Sequence, residues 1–204
     1  MPILTPELKH YLDNCAPQTS KIENGRKALL DKMAKHFRSD KAGAKTWLFV
    51  CTHNSRRSQM AQAMWLAVTE YYNLGEIGAY SAGTQQTALH FYALMALEHA
   101  GFQFLKSKEG KNPHYALLDN TNQEVKLLYS KTLEDSSLPQ EEFTAIMVCD
   151  HADANCPFVP GAGARFGLHY SDPKAYDSSP DPLQHYDDTL CQITHELLYI
   201  ASRV

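Results

Sequence analysis

The feature that most constrains this chain is a short apolar run, Thr46-Trp47-Leu48-Phe49-Val50, that opens into Cys51-Thr52-His53-Asn54-Ser55-Arg56-Arg57-Ser58 and then into a segment of helical periodicity. A continuous apolar run of this length suits a strand buried on both faces. Residues 58–72 place Met60, Met64, Val68 and Tyr71 on one helix face. A buried strand that feeds a helix through a loop is half of a βαβ unit, and such units build parallel sheets covered by helices.

The rest of the chain continues that alternation. Gly75 stops the first helix, and Ala79-Tyr80-Ser81 reads as a second strand. A helix over 87–100 closes at Gly101, a position suited to a left-handed cap. Residues 115–130 change style, with Tyr-Ala-Leu-Leu, the turn-like Asp119-Asn-Thr-Asn122 and Val-Lys-Leu-Leu-Tyr, and predict a hairpin. Thr144 to Val148 forms a third buried strand and 165–170 a fourth. A closing helix over 182–202 turns Leu190, Ile193, Leu197 and Ile200 inward. The expected fold is α/β, a four-stranded parallel sheet with helices on both faces, and its ligands belong at the carboxyl ends of the strands.

Residues 1–45 read as an N-terminal helical extension to a domain over 46–204. A short helical piece follows Thr5-Pro6, and a longer one from Ser20 carries Ile22, Leu29, Leu30, Met33 and Phe37 before Gly43. The lysines and arginines of the second piece read as a solvated face. Neither an internal repeat nor a low-complexity linker is present.

Composition narrows the functional classes. With 204 residues, 44% hydrophobic and 21% charged, the chain can bury a substantial core and is too apolar for disorder. A net charge of -4 argues against a nucleic-acid partner, which calls for a basic face. The first residues lack a basic stretch followed by an apolar signal core, and no run approaches the ~20 apolar residues of a span, so a cytoplasmic location without a membrane partner is expected. Cysteines at 15, 51, 149, 156 and 191 form an odd set, too sparse for a secreted disulfide scaffold. In a reducing compartment they are buried hydrophobes, metal ligands or reactive thiols.

The loop from Cys51 to Ser58 supplies the chemistry. A loop curling over a helix N-terminus aims backbone N–H groups at one spot, where they and the helix dipole stabilise a tetrahedral oxyanion. Thr52, His53, Asn54, Ser55, Arg56 and Arg57 are the candidate oxyanion-binding residues. The same positive field favours the thiolate of Cys51, and Ser58 can donate a hydrogen bond to its sulfur. Arg57 offers a planar fork for two oxygens of the anion, which a lysine could not match. Two arginines at a helix start are unfavourable unless an anion is bound there.

The stretch Phe49-Val50-Cys51-Thr-His-Asn-Ser-Arg-Arg-Ser58-Gln-Met-Ala61, together with Ser81-Ala82-Gly83-Thr84, resembles the low-molecular-weight protein tyrosine phosphatase superfamily over about residues 46–204. The resemblance implies a flavodoxin-like sheet of strand order 2-1-3-4. Within the superfamily, Arg-Ser-Gln-Met-Ala is similar to the loop exit of thioredoxin-coupled arsenate reductases. Val148-Cys149-Asp-His-Ala-Asp153-Ala-Asn155-Cys156-Pro157 resembles their redox segment, with two cysteines seven positions apart. Asp172-Pro173 matches the family's general acid.

That resemblance implies attack of Cys51 on arsenate, protonation of the leaving hydroxyl by Asp172, and a relay in which Cys149 attacks Cys51 and Cys156 then attacks Cys149. A thioredoxin-like reductant completes the cycle and no cofactor is implied. Asp150, His151, Asp153 and Asn155 between the cysteines are expected to leave that segment mobile and poor at holding a buried helix, with Pro157 and Pro160 limiting its continuation. The main alternative is a phosphatase using Cys51, Arg57 and Asp172 on a phosphorylated protein or small phosphoester. A zinc sensor built on Cys149, Cys156 and His151 or His169 is a reading of a different class. Gln62 stands where the reductases carry a Glu near a potassium site, so potassium activation is not expected. Residues 106–133 depart from the reductase pattern as an inserted hairpin. Cys15 and Cys191 carry no motif, and Cys191 is expected in the core.

Overall fold

In a computed structural model, which describes residues 3–156 and 158–204, β1 (Thr46–Cys51) is a central strand. It pairs in parallel with β2 (Gly78–Gly83) on one side and β6 (Phe143–Met147) on the other, and β7 (Ala162–Gly167) completes the order β2-β1-β6-β7. Every residue of β1 after Thr46 is buried, as a strand covered on both faces requires. The expected α/β architecture and its strand order are therefore present. Among the described residues no helix is long and apolar enough to cross a membrane.

The helices pack by apolar faces read from the sequence. α3 (Arg57–Tyr71) packs on α6 (Pro182–Ala201), whose Leu190, Ile193, Leu197 and Ile200 are buried, and α4 (Phe91–His99) packs on α6 as well. α1 (Pro6–Cys15) and α2 (Asn24–Phe37) contribute Leu8, Leu12, Leu30, Met33 and Phe37 to the same core. Trp47 of β1 stacks on Trp65 of α3 at 4.3 Å, and the Phe37 ring meets both edge-on at 5.7 and 5.5 Å. Thr5 caps α1 by accepting from the Leu8 amide at 3.0 Å and donates to the Gly101 carbonyl at 2.9 Å. Gly101 has φ +103°, and a Cβ there would stand 2.4 Å from the Leu8 nitrogen, so cap and close approach both demand glycine.

Several boundaries differ from expectation. Residues 16–21 form a 3-10 turn, Ile22 is extended, and the second N-terminal helix starts only at Asn24. α4 begins at Phe91 rather than near Thr87, because the Thr87 and His90 amides are spent on Ser130 Oγ and the Ser55 carbonyl. The fourth strand lies at Ala162–Gly167, ahead of 165–170, since its ladder follows β6 and not its own weak hydrophobicity. Cys149 and Cys156 are joined by a short helix, α5 (Asp150–Asn155); it is mostly exposed, as a segment poor at holding a buried helix allows, and the Cys149 sulfur caps it. Pro157 lies outside the described residues.

The hairpin exists as β4 (His114–Leu118) and β5 (Glu124–Leu128), but it is two-thirds of a separate antiparallel sheet. The third member, β3 (Gln103–Lys108), is an exposed edge strand whose lysines hide any apolar alternation. The basic face of α2 is not wholly solvated either. Arg26 reaches Glu196 at 2.8 Å and the His169 carbonyl at 3.0 Å, binding α2 to α6.

Candidate active site

Between β1 and α3 the carbonyls of the loop are taken, one after another, by surrounding donors. The Cys51 and Thr52 carbonyls accept from the Thr84 and Gln85 amides at 3.2 and 2.8 Å, just beyond Gly83. The His53 carbonyl accepts from Ser130 Oγ at 2.8 Å and Thr87 Oγ1 at 3.1 Å, Asn54 from Gln59 Nε2 at 3.1 Å, and Ser55 from the His90 amide at 2.9 Å. In a trans peptide the following N–H points opposite to its carbonyl. Anchoring these carbonyls to the surroundings therefore turns the amides of residues 52–56 away from them, which is the arrangement an anion-binding loop needs.

A side-chain relay fixes the sulfur. Asn54 is buried in the left-handed region, with φ +45°. Its Oδ1 accepts from the Lys131 amide at 2.8 Å, and its Nδ2 donates to Ser58 Oγ at 2.8 Å. Ser58 Oγ lies 3.1 Å from Cys51 Sγ. Because Asn54 occupies an acceptor site of that hydroxyl, the Ser58 hydrogen is free to point at the sulfur. Gln59, Ser130 and Lys131, all buried, were not legible as site residues, since no local pattern links them to the loop.

The arginines part company. Arg57 donates through Nη1 to the Tyr170 carbonyl at 2.8 Å and through Nη2 to Asp172 Oδ2 at 2.5 Å. Its buried Nε has no hydrogen-bond partner among the described residues. The fork expected to hold two anion oxygens is thus paired with protein groups here, as a largely buried guanidinium must be. Arg56 donates to Tyr186 Oη at 2.6 Å and Asp177 Oδ2 at 2.9 Å, which makes it a brace between loop and α6. His53, Ser55 and Arg56 line a cleft of about 410 Å³ that does not include Arg57 or Asp172.

Arg57, Asp172, Cys149, His151 and Tyr170 instead line a second cleft of about 430 Å³. A larger cavity of about 500 Å³, between Gln18, Arg26, His195 and Glu196, touches no loop residue. Thr52 Oγ1 connects the loop to α5, 3.6 Å from Cys149 Sγ and 3.2 Å from His151 Nδ1. Cys149 is buried and its sulfur accepts from the Ala152 amide at 3.4 Å; half-buried Cys156 donates to the Phe158 carbonyl at 3.3 Å. His169 is held by Asp153 at 2.8 Å and His151 lies 3.2 Å from Thr52; among the described residues neither histidine gathers with Cys149 and Cys156 into the ligand cluster of the zinc reading. Asp172 caps a 3-10 turn over Pro173–Tyr176 by accepting from the Lys174 amide. The Gln62 amide is buried without partners among the described residues.

A parallel sheet whose central strand delivers a cysteine into an anchored loop at a helix start defines the phosphate-loop class of α/β proteins. The chain belongs to the low molecular weight phosphotyrosine protein phosphatase family, whose pattern its residues 46–197 match. It is similar to an arsenate reductase of Bacillus cereus (strain G9842), 29% identical over 129 residues that cover 63% of this chain and 77% of that protein. Among solved structures, an arsenate reductase from Archaeoglobus fulgidus DSM 4304 aligns with a TM-score of 0.52 at 19% identity, over 77% of this chain and 99% of that one. A low molecular weight phosphotyrosine phosphatase from Vibrio cholerae O395 gives the same TM-score of 0.52 at 17% identity, over 77% and 94%. The fold is shared, and by itself it does not choose between the two chemistries.

Proposed function

We propose that the chain reduces arsenate to arsenite. The observation that carries this reading is the position of Cys149, which reaches the nucleophile loop through Thr52 and shares one cleft with Arg57 and Asp172. Similarity to arsenate reductases supports it. Cys51 thiolate attacks arsenic, Asp172 gives a proton to the departing hydroxyl, which leaves as water, and Arg57 and the loop amides hold the remaining oxygens. Cys149 then attacks the Cys51 sulfur. The electron pair of the sulfur–arsenic bond goes to arsenic, arsenite leaves, and a Cys51–Cys149 disulfide forms.

Cys156 next attacks Cys149 and releases Cys51 as a thiolate, and a thioredoxin-like dithiol reduces the final pair. That last bond has a structural cost. Seven helical steps separate Cα atoms by about 10 Å, whereas a disulfide needs about 4.4–6.8 Å. α5 must therefore unwind during each cycle, which its four polar residues, Asp150, His151, Asp153 and Asn155, and its mostly exposed position make inexpensive.

The second reading is hydrolysis of a phosphoester by Cys51, Arg57 and Asp172, favoured by the loop's being complete without either relay cysteine. One comparison separates the two. Cys149→Ser and Cys156→Ser should each stop multiple turnovers of arsenate with a thioredoxin system, while para-nitrophenyl phosphate hydrolysis survives; Cys51→Ser should abolish both. Arsenate turnover that is unchanged in the two relay variants, with no Cys149–Cys156 disulfide in the wild type after one turnover, overturns the reductase reading and leaves the phosphatase.

A further inference from the structure

Two cysteines without a motif meet outside the loop. Cys15 is the last residue of α1, and Cys191 and His195 stand one turn apart on α6, the spacing that puts two side chains on one helix face. Cys191 was expected in the core, but it is only half-buried, and its Sγ lies 3.4 Å from His195 Nε2. The ligand atoms of Cys15, Cys191 and His195 all lie within 4.8 Å of one another.

From this cluster we infer a metal site for a borderline-soft d10 cation of the zinc(II) class, held by Cys15, Cys191 and His195. Tetrahedral zinc, with bonds of about 2.3 Å to sulfur and about 2.0–2.1 Å to nitrogen, sets sulfur and nitrogen about 3.5 Å apart and two sulfurs about 3.8 Å apart. The Cys191–His195 separation is already close to that value, and the remaining pairs close by at most about 1.3 Å. Two thiolates and an imidazole make a donor set that prefers zinc to magnesium or calcium.

The surroundings allow access. Cys191 lines a cleft of about 260 Å³ with Tyr11 and Asp187, and His195 borders the 500 Å³ cavity on its other side. With three protein ligands the fourth position belongs to water. None of the three belongs to the nucleophile loop or the relay, so the site can fill without competing with turnover. Its effect is mechanical: a bound ion ties the end of α1 to α6, cross-linking residues 176 positions apart.

The test uses the full chain, reduced and stripped of metal, titrated with cobalt(II) and then zinc(II). In a Cys51→Ser/Cys149→Ser/Cys156→Ser background, one equivalent of cobalt should give the thiolate charge-transfer band and visible absorption of a tetrahedral site, and zinc should displace it one for one. Zinc at about 100 times its Kd should raise the wild-type Tm by about 5–10 °C. Cys191→Ser should abolish both effects. His195→Gln, at a half-buried position, should weaken zinc by more than the ~10–100-fold that loss of an outer-shell partner costs. Loss of the cobalt spectrum in the triple-serine background would assign the metal to the relay thiols. That result, or a spectrum that persists in Cys15→Ser/Cys191→Ser, overturns the inference.

Discussion

Arg57 and Asp172, 115 residues apart in the chain, form an ion pair of 2.5 Å at the edge of the candidate active site. On the proposed function, an arriving oxyanion competes with Asp172 for the guanidinium. In the proposed function the carboxylate is released to take up and deliver a proton when the fork turns to the anion.

The first prediction follows from that competition. Asp172→Asn should lower kcat by about 10²–10⁴, the loss expected for a general acid. It should also tighten binding of inorganic phosphate, because Arg57 no longer has a charged partner to leave. Kinetics combined with calorimetric phosphate titration check both parts. Weaker phosphate binding in the variant would show that the pair orients Arg57 rather than restraining it.

Asn54 holds the relay to the sulfur, and glycine is the substitution that keeps its positive φ while removing the amide. Asn54→Gly leaves the Lys131 N–H and the Ser58 hydroxyl short of partners in a buried place, so it should destabilise the fold by about 1–3 kcal/mol. Turnover should fall as well, since Ser58 loses its orientation toward Cys51. Urea unfolding and steady-state rates measure the two effects. A loss of stability without a loss of rate would limit Asn54 to bracing the loop.

Arg165 holds the C-terminal end of α5. It pairs with the Asp153 carboxylate and donates to the Asp153 carbonyl at 2.8 Å and the Cys156 carbonyl at 3.2 Å. Arg165→Ala should speed amide exchange across residues 150–156 and, if unwinding limits the relay, accelerate formation of the Cys149–Cys156 disulfide. Unchanged exchange would mean that the helix opens without breaking the Arg165 contacts.

Lys131 is buried, and burial pulls its ammonium down to about 8. The unfolded chain keeps the ordinary value of about 10.4. Between these two values the unfolded state holds a proton that the folded state has lost, so this residue's contribution to stability rises with pH; below about 8 its burial penalty is present in full. Lys131→Met should therefore be most favourable relative to wild type below pH 8. That advantage should shrink, by up to about 1.4 kcal/mol per pH unit, as pH climbs toward 10. Urea midpoints of both proteins at pH 7 and pH 10 give the answer. A difference independent of pH would mean that the Tyr129 carbonyl at 3.1 Å and the Tyr129 ring, 4.1 Å away, fully compensate the buried charge.

What the sequence determined by itself was whatever short-range physics writes locally. The apolar run at Thr46, the 3.6-residue stripe from Met60 to Tyr71, and Cys51 and Arg57 six positions apart already declared the central strand, the helix and the loop between them. Asp172 and the Cys149/Cys156 pair were legible only through family likeness, and nothing local separates their motifs from a turn and two buried thiols. The tertiary structure decided everything that depends on residues far apart meeting. β3 is a strand because β4 lies beside it, and Arg56 is a brace because Asp177 and Tyr186 arrive from the other end of the chain. Arg57 is paired because folding brings Asp172 to it. Cys15 finds Cys191 and His195 only once α1 has docked on α6. Periodicity and propensity are carried by neighbours along the backbone, whereas ion pairs, buried relays and ligand clusters are carried by distances that only the packed core sets.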